Sequence, residues 1–124
     1  MAKASERGAV AVEFALLAPV LVMLLLGIME FGRAYNVQAS LTNAAREGVR
    51  VMAINNSQSD ARTAAKNAAG PLNPVLADGN VAFSAPTCAV GSQMTVTITY
   101  SLGTMTGIAG PFAMTGKGTM LCGG

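Results

Sequence analysis

Few side chains in this 124-residue chain could do chemistry. There is no His to act as a general base or metal ligand, and Cys88 and Cys122 stand far apart, without the close pairing of zinc knuckles. Without His, a Ser or Cys nucleophile needs an activating Lys or carboxylate nearby, and neither a Ser-x-x-Lys run nor a paired-carboxylate motif occurs. An enzyme is therefore a poor reading, and no catalytic, cofactor-binding or metal residues are assigned. Two readings of the cysteines stay open. They form one disulfide if this part of the chain lies outside the cytoplasm, or they are reduced, buried thiols packing as small apolar groups.

The remaining chemical oddity is Glu13. It is the only charge in residues 9–29, AVAVEFALLAPVLVMLLLGIM. About 20 such residues suffice for a ~30 Å hydrocarbon core at ~1.5 Å per residue, so the spacing predicts a transmembrane helix. Pro19 is compatible with it, because a membrane helix can compensate one missing hydrogen bond locally. The run is too long for a secretory signal peptide and is not followed by an A-x-A-like cleavage site. Lys3 and Arg7 precede it while Arg33, Arg46 and Arg50 follow, which leaves the positive-inside count nearly undecided. Glu13 either sits near the interface, where the positive end of a helix favours acids, or pairs with a cation.

The stretch RGAVAVEF at 7–14 is similar to a prepilin processing site: a short basic leader ends at Gly8, small Ala9 follows, and Glu13 is fifth after the Gly. Residues 6–53 as a whole resemble the TadE-like family of tight-adherence (Tad) pilus systems. The most specific pieces are RGAVAVEFAL at 7–16, Pro19 within the apolar run, IMEFGRA at 28–34 and AAREGVR at 44–50. The resemblance implies a prepilin-peptidase substrate cut between Gly8 and Ala9 on the cytoplasmic face. The helix then remains as anchor in the bacterial inner or plasma membrane, with the C-terminal body extracytoplasmic. It implies a pseudopilin or minor pilin that supports assembly of a Flp-type pilus, with prepilin peptidase and other pilins or pseudopilins as partners, the latter through the N-terminal helix. Glu13 then acquires a role, because cleavage creates an amino group on Ala9. A carboxylate and an ammonium neutralise one another where an unpaired charge is costly, within a subunit or between neighbours, and so set helix register.

Beyond the apolar run, Phe31, Tyr35, Leu41, Ala45, Val49 and Met52 recur roughly every three to four residues, with one step of six, which predicts an amphipathic continuation to about Ile54. Such a helix is ~70 Å long if straight. Asn55, Asn56 and Ser57 break the pattern. A capping Ser, an early acid, interior alanines and a Gly70-Pro71 stop then predict a second short helix at about 59–69. MTVTITY at 94–100 alternates strictly, which predicts a half-buried strand, and residues 80–85 and 112–121 read as weaker strands beside it. Gly116 and Gly118 weaken the last of these.

The expected fold class is α+β: a long N-terminal helix with a transmembrane half and an amphipathic extension, a second short helix, and a small three-stranded antiparallel sheet. The expected organisation is a prepilin-type leader at 1–8, a transmembrane helix at 9–30, an amphipathic extension at 31–54, and a small exported α+β body at 55–124. A Cys88–Cys122 bridge would pin the C-terminus to the sheet and contribute about 3 to 4 kcal/mol by chain entropy.

A net charge of +2 without a basic cluster excludes nucleic acid as a partner, and nothing points to a small-molecule substrate or cofactor. The reading is an assembly component of an adherence pilus. The alternative is a membrane-tethered extracytoplasmic binding module, which differs in keeping its N-terminus uncleaved.

Overall fold

The computed structural model describes residues 2–72, 74–105, 107 and 110–123, with side chains from Ser5 onward. Met1 and the side chain of Lys3, part of the expected leader, lie outside the described residues. The elements in chain order are α1 (Ala2–Asn55), α2 (Gln58–Ala69), a 3-10 turn (Asp78–Asn80), β1 (Val81–Phe83), β2 (Gln93–Leu102) and β3 (Phe112–Leu121). The strands form one antiparallel sheet in the order β1-β2-β3, so the expected α+β class holds. The chain divides into two compact units, Met1–Arg33 and Ala34–Gly124.

In the second unit the period of each element sets what it buries. Val37, Leu41, Ala44, Ala45, Val49, Met52 and Ala53 form the buried row of α1. Alternation in β2 supplies Met94, Val96, Ile98, Tyr100 and Leu102, while its threonines face away from the core. Helix α2 adds Ala61, Ala65 and Ala69, one per turn, and these small side chains allow close packing on Gly48, where an added Cβ would lie 3.2 Å from that of Ala65. Phe31 and Tyr35, grouped with the buried stripe on period alone, are 81% and 77% exposed. The covered row starts only at Val37, because periodicity tells which face is apolar and not where a covering element begins.

The ends of α2 have local causes. The Ser57 hydroxyl accepts from the Asp60 N–H at 3.3 Å, and Gly70 takes the positive φ of 72° at the C-cap. Asn56 makes the break between the helices: it adopts φ 50°, and its Oδ1 accepts the Cys88 N–H at 2.7 Å. Strand β1 starts one residue later than the sequence suggests because Asn80 is drawn into the preceding turn, and it ends two residues earlier, at Phe83. The Asn80 side chain accepts from the Ala77 N–H at 2.9 Å and donates to the Thr99 carbonyl at 2.9 Å.

The glycines of β3 have a use that propensity does not reveal. A Cβ on Gly116 would lie 2.5 Å from the Leu41 carbonyl oxygen, and one on Gly118 would lie 2.8 Å from that of Ala45. The strand can therefore approach the α1 backbone directly. Gln38 seals the same contact by donating from Nε2 to the Thr115 carbonyl at 2.8 Å.

Candidate functional site

In the first unit, Leu- and Ala-rich sequence carries the helix through Pro19. Six consecutive residues, 20–25, are each at least half exposed, and together they pass all the way around the helix. A helix with no polar side is suited to lipid or to other helices. It is long and apolar enough to cross a membrane. Gly8, Ala9 and Glu13 all lie on it and are exposed, and nothing within 4 Å crowds the position of a Gly8 Cβ. Ala9 and Glu13 are four apart and so neighbours on one helix face. Among the described residues Glu13 has no ion-pair partner.

In the second unit Cys88 and Cys122 are joined by a disulfide with a Cα–Cα distance of 5.5 Å. It ties the β1–β2 connection to the end of β3. The junction is reinforced by Cys122 N–H to the Ser92 carbonyl at 2.8 Å and by Gly123 N–H to the Ala53 carbonyl at 3.2 Å, which fastens the C-terminal segment to the end of α1. Among the described residues no three His, Cys, Asp or Glu side chains gather as metal ligands do.

Residues 8–50 match the family model described as TadE-like protein. Over this stretch the chain is similar to TadE-like proteins. The match bears out the resemblance read over residues 6–53, and it covers about a third of the chain, from Gly8 through the exposed apolar helix and most of the buried row of α1. No curated protein and no solved structure matches the chain. The TadE-like segment thus holds Gly8, Ala9 and Glu13, whereas the disulfide, α2 and the sheet lie beyond it.

Charged pairs in the second unit are on its surface. Arg50 Nη2 lies 2.6 Å from Glu47 Oε1 and holds that carboxyl below its ordinary range through the hydrogen bond, while Glu47 raises the guanidinium in turn. Lys66 Nζ lies 2.6 Å from Asp78 Oδ1 and lowers the Asp78 carboxyl in the same way. The Glu47–Arg50 pair follows from their spacing of three on a helix. Lys66–Asp78 does not, since the partners belong to different elements. Nor does spacing announce the placement of Arg62 over Phe83, with the guanidinium carbon 5.0 Å from the ring centroid.

Proposed function

We propose that this chain is a TadE-like pseudopilin or minor pilin, a single-pass protein of the bacterial inner or plasma membrane that supports assembly of a Tad/Flp-type adherence pilus. The observation that carries this reading is the coincidence of the TadE-like match with a helix apolar on every side and interrupted by one acid, Glu13. Prepilin peptidase removes residues 1–8, leaving an ammonium on Ala9 one helical turn before the Glu13 carboxylate. In hydrocarbon each charge alone is costly, so the pair is satisfied within the subunit or with a neighbouring helix, and only a limited set of helix registers satisfies it. The TadE-like helix associates with other pilins in the membrane plane, and the sheet-bearing body is extracytoplasmic, where a Cys88–Cys122 disulfide persists. The function is assembly, with no substrate turned over.

The test is the intact mass of the membrane-extracted protein from cells with and without their prepilin peptidase. Loss of residues 1–8 only when the peptidase is present is the expected result. Retention of residues 1–8 in both sinks the processing step and favours a tethered binding module. In the processed protein, Glu13→Gln is expected to leave the subunit stable in the membrane and to abolish its support of pilus assembly.

A further inference from the structure

The sheet has two open edges, and they differ. On β3 the Thr115 carbonyl is already taken by Gln38, and Lys117 stands mid-strand, a charge that deters pairing with another strand. The other edge is β1. The bond from Ser84 N–H to the Thr95 carbonyl at 3.0 Å fixes the hydrogen-bonded positions in this register, so the backbone groups of Val81 and Phe83 point away from β2. The Val81 N–H bonds to Asp78 at the end of the 3-10 turn. The Val81 carbonyl and both the N–H and carbonyl of Phe83 have no backbone partner among the described residues.

This edge borders a groove of about 420 Å³. Residues 81–86 form one wall, Gln58 and Arg62 of α2 form the other, and Asp78 lies on its border. Gln58 Nε2 donates to the Pro86 carbonyl at 3.1 Å and so ties the walls together. Arg62 lies over the Phe83 ring, its Nη1 making a 3.3 Å bond to Gln58 Oε1 and its Nε covered without an acceptor. Asp78, the carboxylate of the groove, is engaged by Lys66. Among the described residues no carboxylate forms an ion pair with Arg62. A guanidinium held over a ring, beside unpaired strand groups, is arranged to receive a carboxylate in a directional, charge-assisted contact.

We propose that this groove binds an extended, acidic peptide segment of a partner protein. The segment adds to β1 as a fourth strand and places one carboxylate on the terminal nitrogens of Arg62. At ~3.3 Å per residue, the wall from 81 to 86 accommodates a strand of about five or six residues. Main-chain bonds to Phe83 and Val81 supply affinity that tolerates sequence, and Arg62 supplies the preference for an acid. The proposal concerns the second unit alone and stands whether or not the N-terminus is processed.

The experiment uses the full chain in detergent micelles, disulfide intact and labelled with nitrogen-15. The probe is a library of blocked octapeptides, random except for a Glu at the fourth position, followed by titration of the best binder. The expected result is a peptide that shifts the amide resonances of residues 81–84, and that weakens by about tenfold or more when its Glu is changed to Gln, a charge-assisted bond being lost. N-methylation of the peptide at alternate residues is expected to abolish binding, since strand addition needs those N–H groups. Arg62→Gln is expected to weaken binding to the same degree. Because Arg62 also packs on Phe83, the peptide-side changes keep the test sound should that variant fold poorly. No binder, a binder that shifts β3 instead, one indifferent to N-methylation, or equal affinity for the Glu and Gln peptides overturns the proposal.

Discussion

Replacing Gly116 or Gly118 with Ala probes the contact that holds the sheet to α1. An ideal Cβ on Gly116 would sit 2.5 Å from the Leu41 carbonyl oxygen and 2.6 Å from its carbonyl carbon; on Gly118 the nearest atoms are the Ala45 oxygen at 2.8 Å and the Arg46 nitrogen at 2.9 Å. These are helix backbone atoms and cannot swing aside as a side-chain tip can, so strand and helix must separate by several tenths of an ångström. Separation loosens the contacts of Leu41, Val96 and Ile98, all fully buried. Overpacking of this kind costs about 1 to 3 kcal/mol, against a gain of about 0.4 to 1 kcal/mol from the stiffer unfolded chain. The expected net loss is about 1.3 kcal/mol for Gly116→Ala and somewhat less for Gly118→Ala, or about 5 to 10 °C in Tm for the former in a body of this size. Gly79→Ala is the control, since nothing lies within 4 Å of that Cβ and its φ is not positive. The assay is urea and thermal unfolding of the full chain in detergent, followed by the near-ultraviolet signal of Tyr100, which is buried with its hydroxyl on the Pro74 carbonyl at 2.7 Å. Gly116→Ala and Gly118→Ala both within about 0.5 kcal/mol of wild type, or Gly79→Ala equally damaging, would refute the reasoning.

Reducing the Cys88–Cys122 bridge is expected to destabilise the second unit by about 3 to 4 kcal/mol, seen as a lower urea midpoint with reductant; an unchanged midpoint denies the bridge its structural part. Glu47 and Asp78 titrate below their ordinary values of 4.5 and 3.8 in the folded chain, so their pairs contribute above those values and the contribution is lost as pH falls through the lowered ones. The urea midpoint is therefore expected to drop slightly from about pH 5 to about pH 3, less so in 1 M salt or in Arg50→Met and Lys66→Met chains, and an identical drop in the variants counts against the pairs. A fragment of residues 34–124 is expected to fold in water with its disulfide formed, and one of residues 56–124 to remain unfolded, because the latter lacks the buried row from Val37 to Ala53; a folded 56–124 fragment contradicts the core described above.

What was legible in the sequence was what local rules control. Alternation in β2, the Ser57 cap, the Gly70 stop and the unbroken apolar run each report on their own few residues, and the fold class follows from them. The start of β1 was less legible because Asn80 is captured by Ala77 and Thr99, and one of these partners is distant in sequence. Gly116 and Gly118 read as weaknesses in a strand, and only the approach of α1 gives them a purpose. Nothing in the sequence marked out Arg62. Its position depends on residues 78–86 arriving beside α2, which no spacing encodes. Gly8, Ala9 and Glu13 were visible as a pattern, since a Gly-Ala pair after a basic stretch and a lone acid in an apolar run are written in neighbouring residues.

The TadE-like match crosses from one unit into the other, and this bears on how the chain is built. Residues 8–33 present apolar side chains outward, whereas residues 37–49 contain Val37, Leu41, Ala44, Ala45 and Val49, which are buried within their own unit. The matched segment therefore includes the row on which the sheet is laid as well as the apolar helix. The sheet lies outside the match, yet it meets this row through backbone, at Gly116 on Leu41 and Gly118 on Ala45. Contact of backbone on backbone makes few demands on side-chain identity along the rest of a strand. It demands instead that the strand lack Cβ atoms at the two crossing points. On this account the sheet's other face, its edges and its connections are free to vary without disturbing the TadE-like helix, so long as those two positions stay small. The groove between α2 and β1 lies in this part of the chain, outside the matched residues.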